Sequence, residues 1–108
     1  MATGILGSAD LSAATNTTVY TVPADTFSVV SINLVNRGAT AANIRIAIAA
    51  SATPTNAEFI EYDSQITANG VLERTGIVMD AGKLLVVQTP TSTPTLSVVV
   101  YGIETSTA

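Results

Sequence analysis

The sequence predicts an all-β fold: a single-domain antiparallel β-sandwich, jelly-roll-like, of about eight strands. Three observations lead there. Apolar residues recur at every second position in several segments, turn-forming residues separate those segments at intervals of about ten, and no stretch carries a helical period. The strongest segment is Phe27–Gly38 (FSVVSINLVNRG). Val30, Ile32 and Leu34 point to one face, while Ser31, Asn33 and Val35 point to the other. One face is wholly apolar, so this strand is expected inside a sheet, covering a core. A small β-barrel is the competing architecture.

In chain order, Gly4–Leu11 reads as a short edge strand or an arm, loosened by Gly4 and Gly7. Thr17–Val22 alternates, and Pro23-Ala24-Asp25-Thr26 closes it in a tight turn. After Phe27–Asn36, Arg37-Gly38-Ala39-Thr40 reverses the chain into Asn43–Ala50. There Ile44, Ile46 and Ile48 share one face and Asn43, Arg45, Ala47 and Ala49 the other, which predicts a hairpin with Phe27–Asn36. Glu58–Asp63 is a half-buried strand, and Asn69-Gly70 marks a further reversal. Val71–Asp80 carries Gly76 in mid-strand, the mark of a bulge or break. Leu84–Val87 is wholly apolar, and Thr89–Pro94 is a loop stiffened by its prolines. Leu96–Ile103 is apolar on both faces, which places it either centrally in its sheet or against another chain. The expected organisation is an arm or edge strand over 1–16, a sandwich over 17–103 and a fraying tail over 104–108.

Composition narrows the chemistry. The 108 residues are 47% hydrophobic but only 5% aromatic and 11% charged, less than half the usual charged share. A surface so poor in ions has little to keep copies apart, which favours a chain covered by partners. The net charge of −4, with Arg37, Arg45, Arg74 and Lys83 scattered, argues against nucleic acid. Cysteine and histidine are both absent, removing thiolate ligands and the commonest general base. No Ser or Thr has a neighbouring activator, so neither catalysis nor a cofactor is expected. No apolar run is long enough for a membrane span, and the first residues lack a basic leader, which implies folding in the cytoplasm.

Glu58, Glu61 and Asp63 lie close together but lack the spacing of a calcium loop. They are expected on a solvated face or paired with Arg45 or Arg74, and no metal site is assigned. Glu73 and Arg74 interrupt an apolar strand. Two readings stand: an ion pair between subunits that fixes their register, or the wet side of an edge strand. Arg37 is read as capping its turn in preference to reaching a neighbouring subunit. Tyr20, Tyr62 and Tyr101 are expected to be core or contact rings whose hydroxyls reach polar partners.

Several segments carry a resemblance: Tyr20–Ala24, Asn33–Gly38, Ile60–Asp63, Asn69–Gly76, Ala81–Lys83 and Val100–Gly102. Over about 17–103 the chain resembles small β-rich virion proteins of tailed phages infecting cyanobacteria and other marine bacteria. These motifs are turn-and-strand patterns, not a catalytic signature, and Asp25 stands where the resemblance leads one to expect Gly. It implies a virion structural protein, made in the host cytoplasm: a capsid decoration (cement) protein, or a tail, neck, baseplate or fibre module. The implied partners are the major capsid protein or another virion protein, and copies of the same chain, as a homotrimer. The contact residues expected are Ile5, Leu6, Glu73, Arg74, Leu84, Val86, Val99, Tyr101 and Ile103. A different class, a carbohydrate-binding host-recognition module, would use Tyr20, Tyr62 and Glu61.

Overall fold

The chain is one long hairpin wound upon itself. The computed structural model describes residues 3–92 and 94–108. Met1, Ala2 and Thr93 lie outside them, and with them two residues of the expected arm and one of the proline-flanked loop. Eight strands form: β1 (Thr3–Asp10), β2 (Thr17–Thr21), β3 (Thr26–Asn36), β4 (Ala42–Ala49), β5 (Phe59–Ile66), β6 (Val71–Met79), β7 (Leu84–Gln88) and β8 (Leu96–Ser106). A single 3-10 turn, Asn56–Glu58, precedes β5. The first four strands pair antiparallel with the last four in reverse order: β1 with β8, β2 with β7, β3 with β6 and β4 with β5. Two lateral pairings, β3 with β8 and β4 with β7, then close the roll. The product is two four-stranded antiparallel sheets, β1-β8-β3-β6 and β2-β7-β4-β5. This is the strand order of a jelly roll, two packed sheets rather than a closed barrel.

Alternation along the strands fills the space between the sheets. Val30, Ile32 and Leu34 of β3 face Ile44 and Ile46 of β4 and Leu85 of β7 in one buried cluster. Leu96, Val98 and Val100 of β8 join them, while Val99 and Tyr101 point outward. The last strand is therefore central, between β1 and β3.

Three expectations need correction, and one alternative is decided. The strands β3 and β4 do not form a hairpin but lie in different sheets, so Arg37–Thr40 is a crossover between layers. Turn chemistry signals a reversal without saying whether the chain stays in its sheet. The tail does not fray at Glu104: Thr26, Phe27 and Ser28 pair with Ser106, Thr105 and Glu104, and the Thr107 amide donates to the Asp25 carbonyl at 2.9 Å. Of the two readings of the first segment, the edge strand is the one that forms, with Leu6 packed on the core beside a register shift between Ile5 and Gly7. Finally, β4 is not simply in and out. Ala47 and Ala49 are buried on the face opposite Ile46, because a methyl group sits below its larger neighbours.

Two local conformations follow the sequence closely. The expected bulge in β6 is present: Val30 pairs with Ile77 but Ile32 with Arg74, and Gly76 adopts φ 68°. At the β2–β3 turn, Asp25 takes φ 53°, so the left-handed turn forms without glycine.

Candidate interaction surface

The outer face of the first sheet is built in cross-strand rows. One row runs Val78, Val29, Ile103, Thr3 from β6 through β3 and β8 to β1. The next places Ser31 beside Tyr101 and Tyr101 beside Ile5. A third runs Glu73, Asn33, Val99, Ser8, and a fourth joins Val71, Val35, Ser97 and Asp10. Phe27 stands at the end of β3 beside Thr105. Six large apolar side chains are conspicuously exposed among the described residues: Ile5 (72%), Val78 (67%), Val71 (59%), Tyr62 (56%), Ile103 (49%) and Phe27 (37%). All but Tyr62 belong to this one face.

Its polar groups are largely used within the chain. The Tyr101 hydroxyl donates to Glu73 Oε2 at 2.9 Å, reaching over β3. That hydrogen bond, chiefly, raises the Tyr101 phenol above its ordinary range. At the rim, Arg37 Nη2 lies 2.8 Å from Asp10 Oδ1, tying the β3 end to β1. The side-chain Oδ1 of Asn33 is buried beneath this face without a hydrogen-bond partner.

The outer face of the second sheet is different. Arg45 Nε donates to Asp63 Oδ1 at 2.6 Å, Nη1 donates to Gln88 at 3.1 Å, and the guanidinium stacks 4.2 Å from the Tyr62 ring centre. Tyr62 meets Phe59 edge-on at 5.0 Å, and a depression of about 470 Å³ is lined by Asn56, Phe59 and Tyr62. Asp63 holds φ 54° at one of two register shifts in β5.

The three neighbouring carboxylates do not converge. Glu58 accepts from the backbone amides of Thr55 (2.8 Å) and Ala50 (3.0 Å), which lowers its pKa, the Thr55 bond most. Glu61 accepts from Ser64 and, at 2.6 Å, from Arg74 Nη1. Of the alternatives read from the sequence, Asp63 and Glu61 are ion-paired, with Arg45 and Arg74 respectively, and the second pair bridges the two sheets between β6 and β5. Among the described residues no three acidic, histidine or cysteine side chains gather at one place.

The residues expected at a contact are dispersed differently. Ile5, Val99, Tyr101, Ile103 and Glu73 share the first outer face. Leu6 turns inward, Arg74 is engaged by Glu61, and Val86, at 2% exposure, is already covered by its own chain. Leu84 is half-buried at the β2–β7 margin. Phe27, Val29, Val71 and Val78 were missed. Their signal was present as alternation, but it becomes a surface only when β3, β6 and β8 are known to be neighbours.

A buried polar bridge at one end clamps the layers. Tyr20 of β2 donates its hydroxyl hydrogen to Glu104 Oε2 at 2.5 Å, and its oxygen lies 2.6 Å from Ser28 Oγ. Burial first, then the Glu104 hydrogen bond, pushes the Tyr20 phenol up to about 12. Folding thus protects the neutral phenol. Its stabilisation, about 2 kcal/mol, is complete below pH ~10 and lost as the pH rises towards ~12. Denaturation midpoints measured from pH 8 to 11.5 should fall across that window. In Tyr20→Phe they should start lower and lack this component; equal slopes would contradict the linkage.

Comparison of the chain with protein-family models, curated proteins and solved structures found no match.

Proposed function

We propose that this chain is a non-enzymatic structural subunit of a tailed-phage virion, a capsid decoration protein that reinforces the lattice by covering junctions of the major capsid protein. The observation that carries the reading is the apolar outer face of the first sheet. Five large apolar side chains lie exposed on this one face, whose Glu73 carboxylate accepts a hydrogen bond from Tyr101. Large apolar side chains gathered on one exposed face mark a place for another protein. The turn-and-strand resemblance supplies the particle; the jelly roll itself hosts many functions and adds no choice among them. Homo-oligomerisation and docking on the lattice are both ways to cover such a face.

The test is copy number. Quantitative mass spectrometry of purified particles, referenced to the major capsid protein, should find hundreds of copies per virion. A few dozen or fewer would assign the chain to a tail, neck, baseplate or fibre, and none would remove it from the virion.

A second reading is favoured by the depression beside Tyr62. An exposed ring flanked by Asn56 offers a stacking surface and an amide, the minimum for holding a sugar ring. Of the three residues first considered for this role, Tyr20 is buried and Glu61 is held by Arg74. Only Tyr62 remains available. Glycan-array binding abolished by Tyr62→Ala would support the reading, and a silent array would retire it.

A further inference from the structure

We infer that the outer face of the first sheet closes against the same face of a second copy across a two-fold axis, giving a dimer in place of the expected trimer. The inference rests on reading that face as the contact surface, and it names the occupant. A ring of three joins two different patches on each subunit, whereas a two-fold contact joins a patch to itself. The described surface offers no second apolar patch. Its remaining exposed large apolar side chain, Tyr62, lies on the other sheet beneath the Arg45 guanidinium. A head-to-tail contact would press Ile5, Ile103 and Val78 onto polar side chains. Self-pairing alone covers apolar with apolar.

Extension by strand addition is discouraged as well. The open edge of the first sheet, β6, is bulged at Gly76, and that of the second, β5, carries two register shifts, with Asp63 left-handed. Bulges of this sort blunt an edge against a new strand. The other two edges, β1 and β2, lie so close that a side chain at Gly7 would meet the Val19 carbonyl. The broad face is what is left.

Its area is at the lower end of the range that specific contacts bury. Strands β3 and β8 are 11 residues each in a four-stranded sheet. With 8 residues in β1 and 9 in β6, about 3.3 Å per residue and 4.8 Å between strands give a face of roughly 600 Å². A stable interface buries about 800 Å² per partner. Of the carboxylates of this face, Asp10 is paired with Arg37 at the rim, and Glu73 accepts a hydrogen bond from the neutral Tyr101 hydroxyl.

Sedimentation velocity with the purified full chain at micromolar concentration tests this. The expected species has twice the 11.0 kDa chain mass. Val78→Glu and Ile103→Glu should each weaken association at least tenfold while keeping the β-sheet circular dichroism of the parent, and Tyr62→Ser should leave it unchanged. Val78 lies on an exposed edge strand, so its variant reads association even if Ile103→Glu folds poorly. A trimer, or a dimer indifferent to Val78→Glu, would overturn the two-fold pairing. A monomer would overturn it too. If in that case the same variants still stripped the chain from particles, the face would remain a contact for another virion protein. If they did not, the reading of the face would fall with the dimer.

Discussion

Gly102→Val is expected to leave little folded protein, with a loss of more than about 3 kcal/mol. Gly102 sits in β8, between Gly4 of β1 and Val30 of β3, in the middle of the first sheet. A Cβ built there would collide with the Val29 carbonyl and lie 2.8 Å from the Val30 Cα. Both obstacles are backbone atoms of a central strand, so neither can swing aside as a side chain would. Gly102→Ala should already lower the melting temperature by more than 10 °C, at about 4–8 °C per kcal/mol for a domain of this size. The contrast is Gly76→Ala, where nothing lies within 4 Å and only φ 68° opposes the change. That variant should lose only about 1–2 kcal/mol. Thermal melts of the three proteins check the order, and a Gly102→Ala melt within 3 °C of the parent would contradict the packing described.

Asn36→Asp is expected to cost about 3 kcal/mol or more, despite being nearly isosteric. Asn36 is 1% exposed at the end of β3. Its amide nitrogen faces the carbonyls of Thr40 (2.8 Å), Ile66 (3.2 Å) and Thr67 (3.3 Å), and its oxygen accepts from the Gly38 amide (3.0 Å) and the Thr95 hydroxyl (3.3 Å). One side chain thus fastens the β3–β4, β5–β6 and β7–β8 connections together. The carboxylate removes both donated hydrogens and sets negative charge against carbonyl oxygens in a buried place, which costs more than a neutral loss. Asn36→Ala should be the milder of the two, about 2–3 kcal/mol. Urea titrations give both values, and an Asp variant as stable as the parent would remove the clamp from the account.

These two positions show where the sequence could be read and where it could not. Strand existence was written in the alternation: Val30, Ile32 and Leu34 went inward as their spacing demanded. The Gly76 bulge was legible too, because glycine weakens a regular ladder and suits the left-handed residue that a bulge requires. Pairing was not legible. Nothing in Arg37-Gly38-Ala39-Thr40 distinguishes a hairpin from a step between layers, and the choice is made by β6 and β8, which come much later in the chain. Asn36 read as no more than the end of its strand, because two of the three connections it fastens lie far along the chain. The same holds for the outer face. Ile5, Tyr101 and Ile103 were legible as apolar residues, yet Phe27, Val29 and Val78 join them only through non-local registers. Glu73 and Arg74, adjacent in sequence, divided between the face and the inter-sheet ion pair because successive strand residues point opposite ways.

The winding of β1 onto β8 also sets an order of events during synthesis. Thr3 finds its partner only at Ile103, and β3 lies exposed on one side until β8 arrives. Contacts this distant along the chain make for slow folding and leave the early strands waiting. Until β8 has been made and has joined β1 and β3, the outer face of the first sheet is incomplete and its apolar rows are not yet assembled.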